Sequence, residues 1–154
     1  MKFHLLTVGT SPREYKLLID DYKKRITRFS HFDEINIQYK AKKNDTSNVI
    51  IKQEGKKILE KIPQKERIFL LDDKGKEYSS KGLASFLKNQ MLLSQDCWFV
   101  IGGAYGFSDE VYASAYEKIS LSKMTFNHHM AKLFFTEQFY RAMSILNNHP
   151  YHNA

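Results

Sequence analysis

The chain has few of the residues that staple small proteins. Its single cysteine, Cys97, excludes an intramolecular disulfide and, among apolar neighbours, reads as a buried thiol. Three prolines and seven glycines are scattered over 154 residues, with no linker-like stretch, repeat or low-complexity segment. The longest unbroken apolar run is Cys97-Trp98-Phe99-Val100-Ile101, far below the roughly 18–20 residues that cross a bilayer. The apolar stretch before Ser11-Pro12-Arg13-Glu14 is too short for a secretory signal. There is no cysteine cluster and no His-Glu-x-x-His pattern, and His128-His129 and His149/His152 alone do not make a metal site, so no metal is expected. These absences predict one cytoplasmic domain over residues 1–154, without a membrane partner.

Hydrophobic residues are 42% and charged residues 27%, the composition of a globular chain rather than a disordered one. Lysine and arginine number 24 against 17 acidic residues, a net charge of +7. A field of that sign draws in polyanions; charge alone is equally compatible with an ordinary basic protein.

Hydrophobic spacing alternates between two periods. Residues 2–8 read as a buried strand. Ser11-Pro12-Arg13-Glu14 has the cap, first-turn proline and acid of a helix start, and Tyr15, Leu18, Ile19, Tyr22, Ile26 and Phe29 follow as one apolar stripe. Residues 32–40 alternate as a half-buried strand. A polar loop leads to a helix over 47–61 that carries Lys52, Lys56, Lys57 and Lys61, with Gly55 in its interior at a cost of about 1 kcal/mol. Then come a strand at 67–71, a helix at 79–92, the Cys97–Ile101 strand, a short helix opened by Ser108-Asp109-Glu110, a strand at 119–126 and a long helix over His128–Leu146. Five alternations predict an α/β fold, a mostly parallel sheet flanked by helices. The last helix is apolar nearly all round, more than one small domain can cover, and predicts packing against a second copy.

Parallel sheets bind ligands at the carboxyl ends of their strands. Three such ends carry unusual loops: Leu71-Asp72-Asp73-Lys74-Gly75-Lys76, Ile101-Gly102-Gly103-Ala104-Tyr105-Gly106, and Ser122-Lys123-Met124-Thr125-Phe126-Asn127-His128. Each alone is an ordinary strand-to-helix turn; the second lacks both Rossmann and P-loop spacing. Three in one half of a sheet point to a shared pocket. Glu137 and Arg141, four apart in the apolar helix, are either a helix ion pair or the lining of a site.

Taken in order, these motifs fit one family. Leu6-Thr7-Val8-Gly9-Thr10, Leu71-Asp72 with Gly75-Lys76, Ile101-Gly102-Gly103 with Gly106, Leu121-Ser122-Lys123-Met124-Thr125-Phe126 with His128, Glu137 with Tyr140-Arg141-Ala142, and Asn148-His149-Pro150-Tyr151-His152 run through the whole chain. The sequence resembles the ribosomal RNA large subunit methyltransferase H family of the SPOUT class. Some relatives carry proline where this chain has Asn127, and Pro-Glu where it has Ala104-Tyr105.

The resemblance implies a SPOUT-type fold with a C-terminal trefoil knot, a homodimer, and S-adenosylmethionine as methyl donor. It implies methylation at N3 of a pseudouridine in 23S rRNA within the 70S ribosome, with no role for DNA. The donor-binding positions carry over to Leu71, Gly102, Leu121, Ser122, Lys123, Met124, Thr125 and Phe126. Arg141, Tyr151 and His152 are the candidates for handling the RNA base. A tail ending in Tyr-His is unusual for packing alone, since termini fray, although closing the fold or a dimer is an alternative use. Two other functions remain open at this point: a SPOUT enzyme acting on tRNA or a ribose 2′-oxygen, and a non-enzymatic ribosome-associated RNA-binding protein.

Overall fold

The elements follow the expected alternation: β1 (Phe3–Val8), α1 (Arg13–Ile26), β2 (Phe32–Ile37), α2 (Ser47–Lys61), β3 (Arg67–Glu77), α3 (Ser80–Met91), β4 (Cys97–Ile101), α4 (Asp109–Ser114), β5 (Glu117–Ser120) and α5 (His128–Leu146). The computed structural model describes residues 1–153; Ala154, the end of the expected domain, lies outside the described residues. All strand pairings are parallel, in the order β2-β1-β4-β3-β5. Among the described residues no helix is long and apolar enough to cross a membrane.

The central strands are largely apolar, β4 throughout, because both faces of the sheet are covered. Along β1, Phe3 and Leu5 join one core cluster while Leu6 and Val8 join the other. Along β4, Cys97, Phe99 and Ile101 face the first and Trp98 and Val100 the second. The first cluster is built with α1, α3 and α5, and its centre is aromatic: Phe99 lies 4.8 Å from Phe135 and 5.2 Å from Phe69, and Phe3 5.0 Å from Phe139. The second is built with α2 and α4. Burial of Cys97 pushes its thiol up to about 12, so it stays protonated and inert.

Five local readings change. Ser11 does not cap α1; Pro12 occupies the cap position without a side-chain bond, and Ser11 Oγ accepts from Lys132 Nζ at 3.4 Å instead. The 32–40 strand stops at Ile37, opposite the last residue of β1, and Tyr39 turns away to donate to Asp45 Oδ2 at 2.7 Å. The strand expected at 119–126 is Glu117–Ser120: Ser120 Oγ donates to the Ser122 carbonyl, and Ser122 Oγ accepts from the Met124 amide, each at 3.0 Å, which turns the chain out of the sheet. Leu18, placed on the apolar stripe of α1, is 53% exposed, while Ile19 and Ile26 are buried. Gly55, an apparent weakness in α2, is required there. It is buried against α4, where a Cβ would collide with Ser108 Oγ.

One polar network, half-buried at the β2 edge of the sheet, joins α5, β1, β2 and α1. Lys132 is 3% exposed and pairs with Glu34 Oε1. Its ammonium also donates to Asn36 Oδ1 at 2.9 Å, which accepts from Thr7 Oγ1 at 2.7 Å. Lys23 Nζ donates to the second Glu34 oxygen at 2.7 Å. Burial pushes the Glu34 carboxyl up, but Lys132 and Lys23 outweigh it and hold the group below its ordinary value of 4.5. That contribution to stability is present above pH 4.5 and is lost as the pH falls below it.

Removing Lys132 leaves Glu34 buried beside one cation instead of two. Lys132→Met is expected to cost about 3–5 kcal/mol in urea unfolding at pH 7. The difference from the parent protein should narrow as the pH is lowered through 4.5 and Glu34 takes up a proton.

Candidate functional site

The three singled-out loops meet at the carboxyl ends of β3, β4 and β5 and enclose a cleft of about 510 Å³, a size suited to a cofactor-like small molecule. The first loop is an extrusion from β3. Leu71 and Lys76 both face Ile119 of β5, so the four residues between them leave the sheet and re-enter it opposite the same partner. Gly75 passes so close to β5 that a Cβ would lie 2.6 Å from the Ile119 nitrogen. Asp72 anchors the loop, accepting from the Lys74 amide at 2.8 Å and from Tyr112 Oη at 2.7 Å. Burial and that bond to Asp72 push the Tyr112 phenol up to about 12, so it remains a donor.

The second loop is tied by a Gly106 N–H to Gly103 carbonyl bond of 3.2 Å, with Gly106 at φ +81°. At Gly102 a Cβ would meet the Phe107 ring at 3.0 Å and the Gly106 carbonyl at 3.2 Å. Any side chain there presses on the loop's own packing, before any ligand enters. The third loop runs from Leu121 to Asn127 and delivers the chain into α5. Asn127 Oδ1 accepts from the Met130 amide at 2.9 Å and caps that helix.

Of the predicted donor positions, Leu71, Gly102, Leu121, Ser122, Met124, Thr125 and Phe126 line this cleft. Lys123 lies in the same loop but is exposed and is not among the lining residues. His128, which ends the third loop in the sequence, was not among the expected donor positions. It lines the cleft, and its Nε2 lies 3.8 Å from the Cβ position of Gly9, so the end of β1 also borders the site. Burial, His129 and Lys132 together lower its pKa, favouring the neutral ring. Its place at the first turn of the helix after a site loop was the available signal.

Arg141, Tyr151 and His152 come together, but not in this cleft. Arg141 Nη2 donates to Glu137 Oε1 at 2.5 Å, and Tyr151 Oη donates to the same oxygen at 2.9 Å. Arg141 lies over the Tyr151 ring at 4.8 Å, and its Nη1 is 3.5 Å from His152 Nδ1. The Glu137–Arg141 pair is therefore both a helix ion pair and the anchor of the tail. Burial, then Tyr22 and Glu137, raise the Tyr151 phenol far above its usual range, so it stays protonated and keeps its bond to Glu137 while lying 3.3 Å from Tyr22 Oη. Arg141 is 13 residues from His128 along α5, about 20 Å of helix. Between the two ends Met130 and Phe134 remain 40% and 39% exposed on one face.

The Asn127 cap predicts a measurable effect. Asn127→Ala is expected to lower stability by about 1 kcal/mol. Hydrogen exchange should speed up at Met130 and not in the last turn of α5.

The family described as Predicted SPOUT methyltransferase matches residues 1–152. A ribosomal RNA large subunit methyltransferase H from Bacteroides thetaiotaomicron is 46% identical over 156 residues, covering 99% of each chain. Its counterpart from Phocaeicola vulgatus is 44% identical with the same coverage. Among solved structures, a probable methylase family protein from Haemophilus influenzae superposes on 99% of this chain and 70% of its own with a TM-score of 0.55 at 9% identity, a likeness of fold. With its whole length matched and its three loops gathered around one cleft, the chain belongs to the SPOUT methyltransferase family and, within it, to that of ribosomal RNA large subunit methyltransferase H.

Proposed function

We propose that the protein transfers a methyl group from S-adenosylmethionine to N3 of a pseudouridine in 23S rRNA of the assembled 70S ribosome, acting as a single-domain homodimer. The observation that carries this reading is kinship of 44–46% across 99% of both chains with enzymes that methylate large-subunit rRNA. The cleft residues fit the donor: glycine backbone, apolar Leu71, Leu121 and Phe126, and a neutral His128 leave a cationic sulfonium without a like charge in the lining except Lys74. The donor, when bound, supplies a methyl group already activated by the sulfonium, so the protein's part is orientation. We also infer that the chain after β5, which turns back through the cleft before α5, carries the knot that the family's fold implies.

Transfer to N3 releases the N3 proton, and His152 is the proposed acceptor. Arg141, with its fixed fork of donors, suits a phosphate or base carbonyl, and Tyr151 holds it in place. These groups are some 20 Å from the cleft of their own chain, judged by the rise of α5. The exposed Met130 and Phe134 lie between. Pairing that face with a second copy covers it and offers one subunit's tail to the other's cleft.

Two measurements test this reading. With labelled donor, methyl transfer should be strong on whole ribosomes and weak on free subunits and naked rRNA; no transfer to any of them would overturn the assignment. Gly102→Val, inactive in the cleft, and Arg141→Ala, inactive in the tail, should regain activity when mixed as heterodimers. Only a site built from two subunits leaves one intact pair, and a site within one chain predicts no recovery.

The exposed Lys52, Lys56, Lys57 and Lys61 on α2 are proposed to meet RNA phosphates. Reversing Lys52 and Lys57 should weaken ribosome binding and reduce its salt slope by about 1.5. Donor affinity should not change.

A further inference from the structure

Glu54 is a buried acid with no role in the chemistry above. It sits on the inner side of α2, 8% exposed, and its Oε2 is shut off from solvent without a hydrogen-bond partner. A buried polar atom left unpaired is unfavourable and persists where the surroundings require it. The surroundings here are the donor cleft's second loop. A Cβ at Gly103 would lie 2.5 Å from Glu54 Oε2 and 2.9 Å from Oε1. Gly103 lines the cleft, and its carbonyl is the acceptor that closes the loop with Gly106. The next residue on α2, Gly55, presses on Ser108, which caps α4. The inner face of α2 is thus the back wall of the whole 102–108 segment.

We propose that Glu54 is a positioning residue for the donor cleft, filling the space behind Gly103 and holding the Gly102-Gly103 corner where the donor binds. This rests on the cleft being the S-adenosylmethionine site. Burial pushes the Glu54 carboxyl up, with no cation offsetting it. Across the same pair of helices, Lys52 of α2 and Glu110 of α4 act on each other and not on Glu54. The group is therefore proposed to work through the space it fills, with no cation paired to its charge.

The test is calorimetric titration of S-adenosylmethionine into the full chain, with thermal melts in parallel. Glu54→Ala should weaken donor binding by about tenfold, whereas Glu54→Gln, with the same shape and no charge, should stay within about twofold of the parent. In methyl transfer to ribosomes the loss should appear in the donor KM and leave kcat unchanged. Gly103→Ala places its Cβ against the carboxyl and should also weaken binding. The double variant Glu54→Ala/Gly103→Ala should bind better than the product of the two single losses, because the first change vacates the space the second needs.

Unaltered binding by Glu54→Ala, a Gln variant as weak as the Ala variant, or two losses that simply multiply would each overturn the proposal. Should Glu54→Ala fail to fold, Glu54→Asp carries the same comparison, since the shorter acid should relieve Gly103→Ala. If the parent protein itself binds no S-adenosylmethionine, the reading of the cleft fails. The 54–103 coupling is still read in the melts.

Discussion

The placement of α5 depends on one buried ion pair. Lys132 reaches from the second turn of that helix to Glu34 on β2, and Asn36, Thr7 and Lys23 complete its partners. Apolar contacts alone would let a helix this uniformly greasy slide or rotate, because Phe135, Phe139 and Met143 are nearly interchangeable in volume and polarity. A cation that finds its carboxylate in only one register removes that freedom. Everything at both ends follows. The N-terminal turn presents His128 to the cleft, and 13 residues on, Glu137 and Arg141 fasten the tail.

The same helix divides the chemistry. At one end the lining is glycine backbone, apolar side chains and a histidine whose neutral form is favoured, with the charges of Asp72, Asp73 and Lys74 on the first loop. At the other, charge and hydrogen-bonding capacity are concentrated in Glu137, Arg141, Tyr151 and His152. The first environment suits a small cation, the second a polar base and its phosphates. Between them the apolar side chains of Met130 and Phe134 stand exposed on one face of the helix, the face on which the proposed dimer contact rests.

Periodicity made the alternation and the parallel sheet readable, because buried strands and amphipathic helices differ in their apolar spacing. The first two loops were readable as well, since each follows an apolar run that stops abruptly at charged residues or glycines. What escaped was tertiary in origin. Gly55 looks like a fault in a helix until Ser108 is seen against it. Residues 121–126 have the composition of a strand, yet the hydroxyls of Ser120 and Ser122 capture backbone groups that a strand would have used. His128 was visible as a residue and not as a wall of the cleft. Its role depends on the direction in which the third loop delivers α5, and that direction is set by Lys132, almost a hundred residues from its partner in sequence.

The extrusion in β3 separates two demands that usually conflict. Because Leu71 and Lys76 both stand opposite Ile119, the strand resumes as though nothing had been inserted. Residues can be added to or taken from the 72–75 segment without moving any side chain of the sheet from one face to the other. The tip of the loop can then change shape at the rim of the cleft while the core keeps its register, with Gly75 held against β5 and Asp72 tied to Tyr112 as its fixed points.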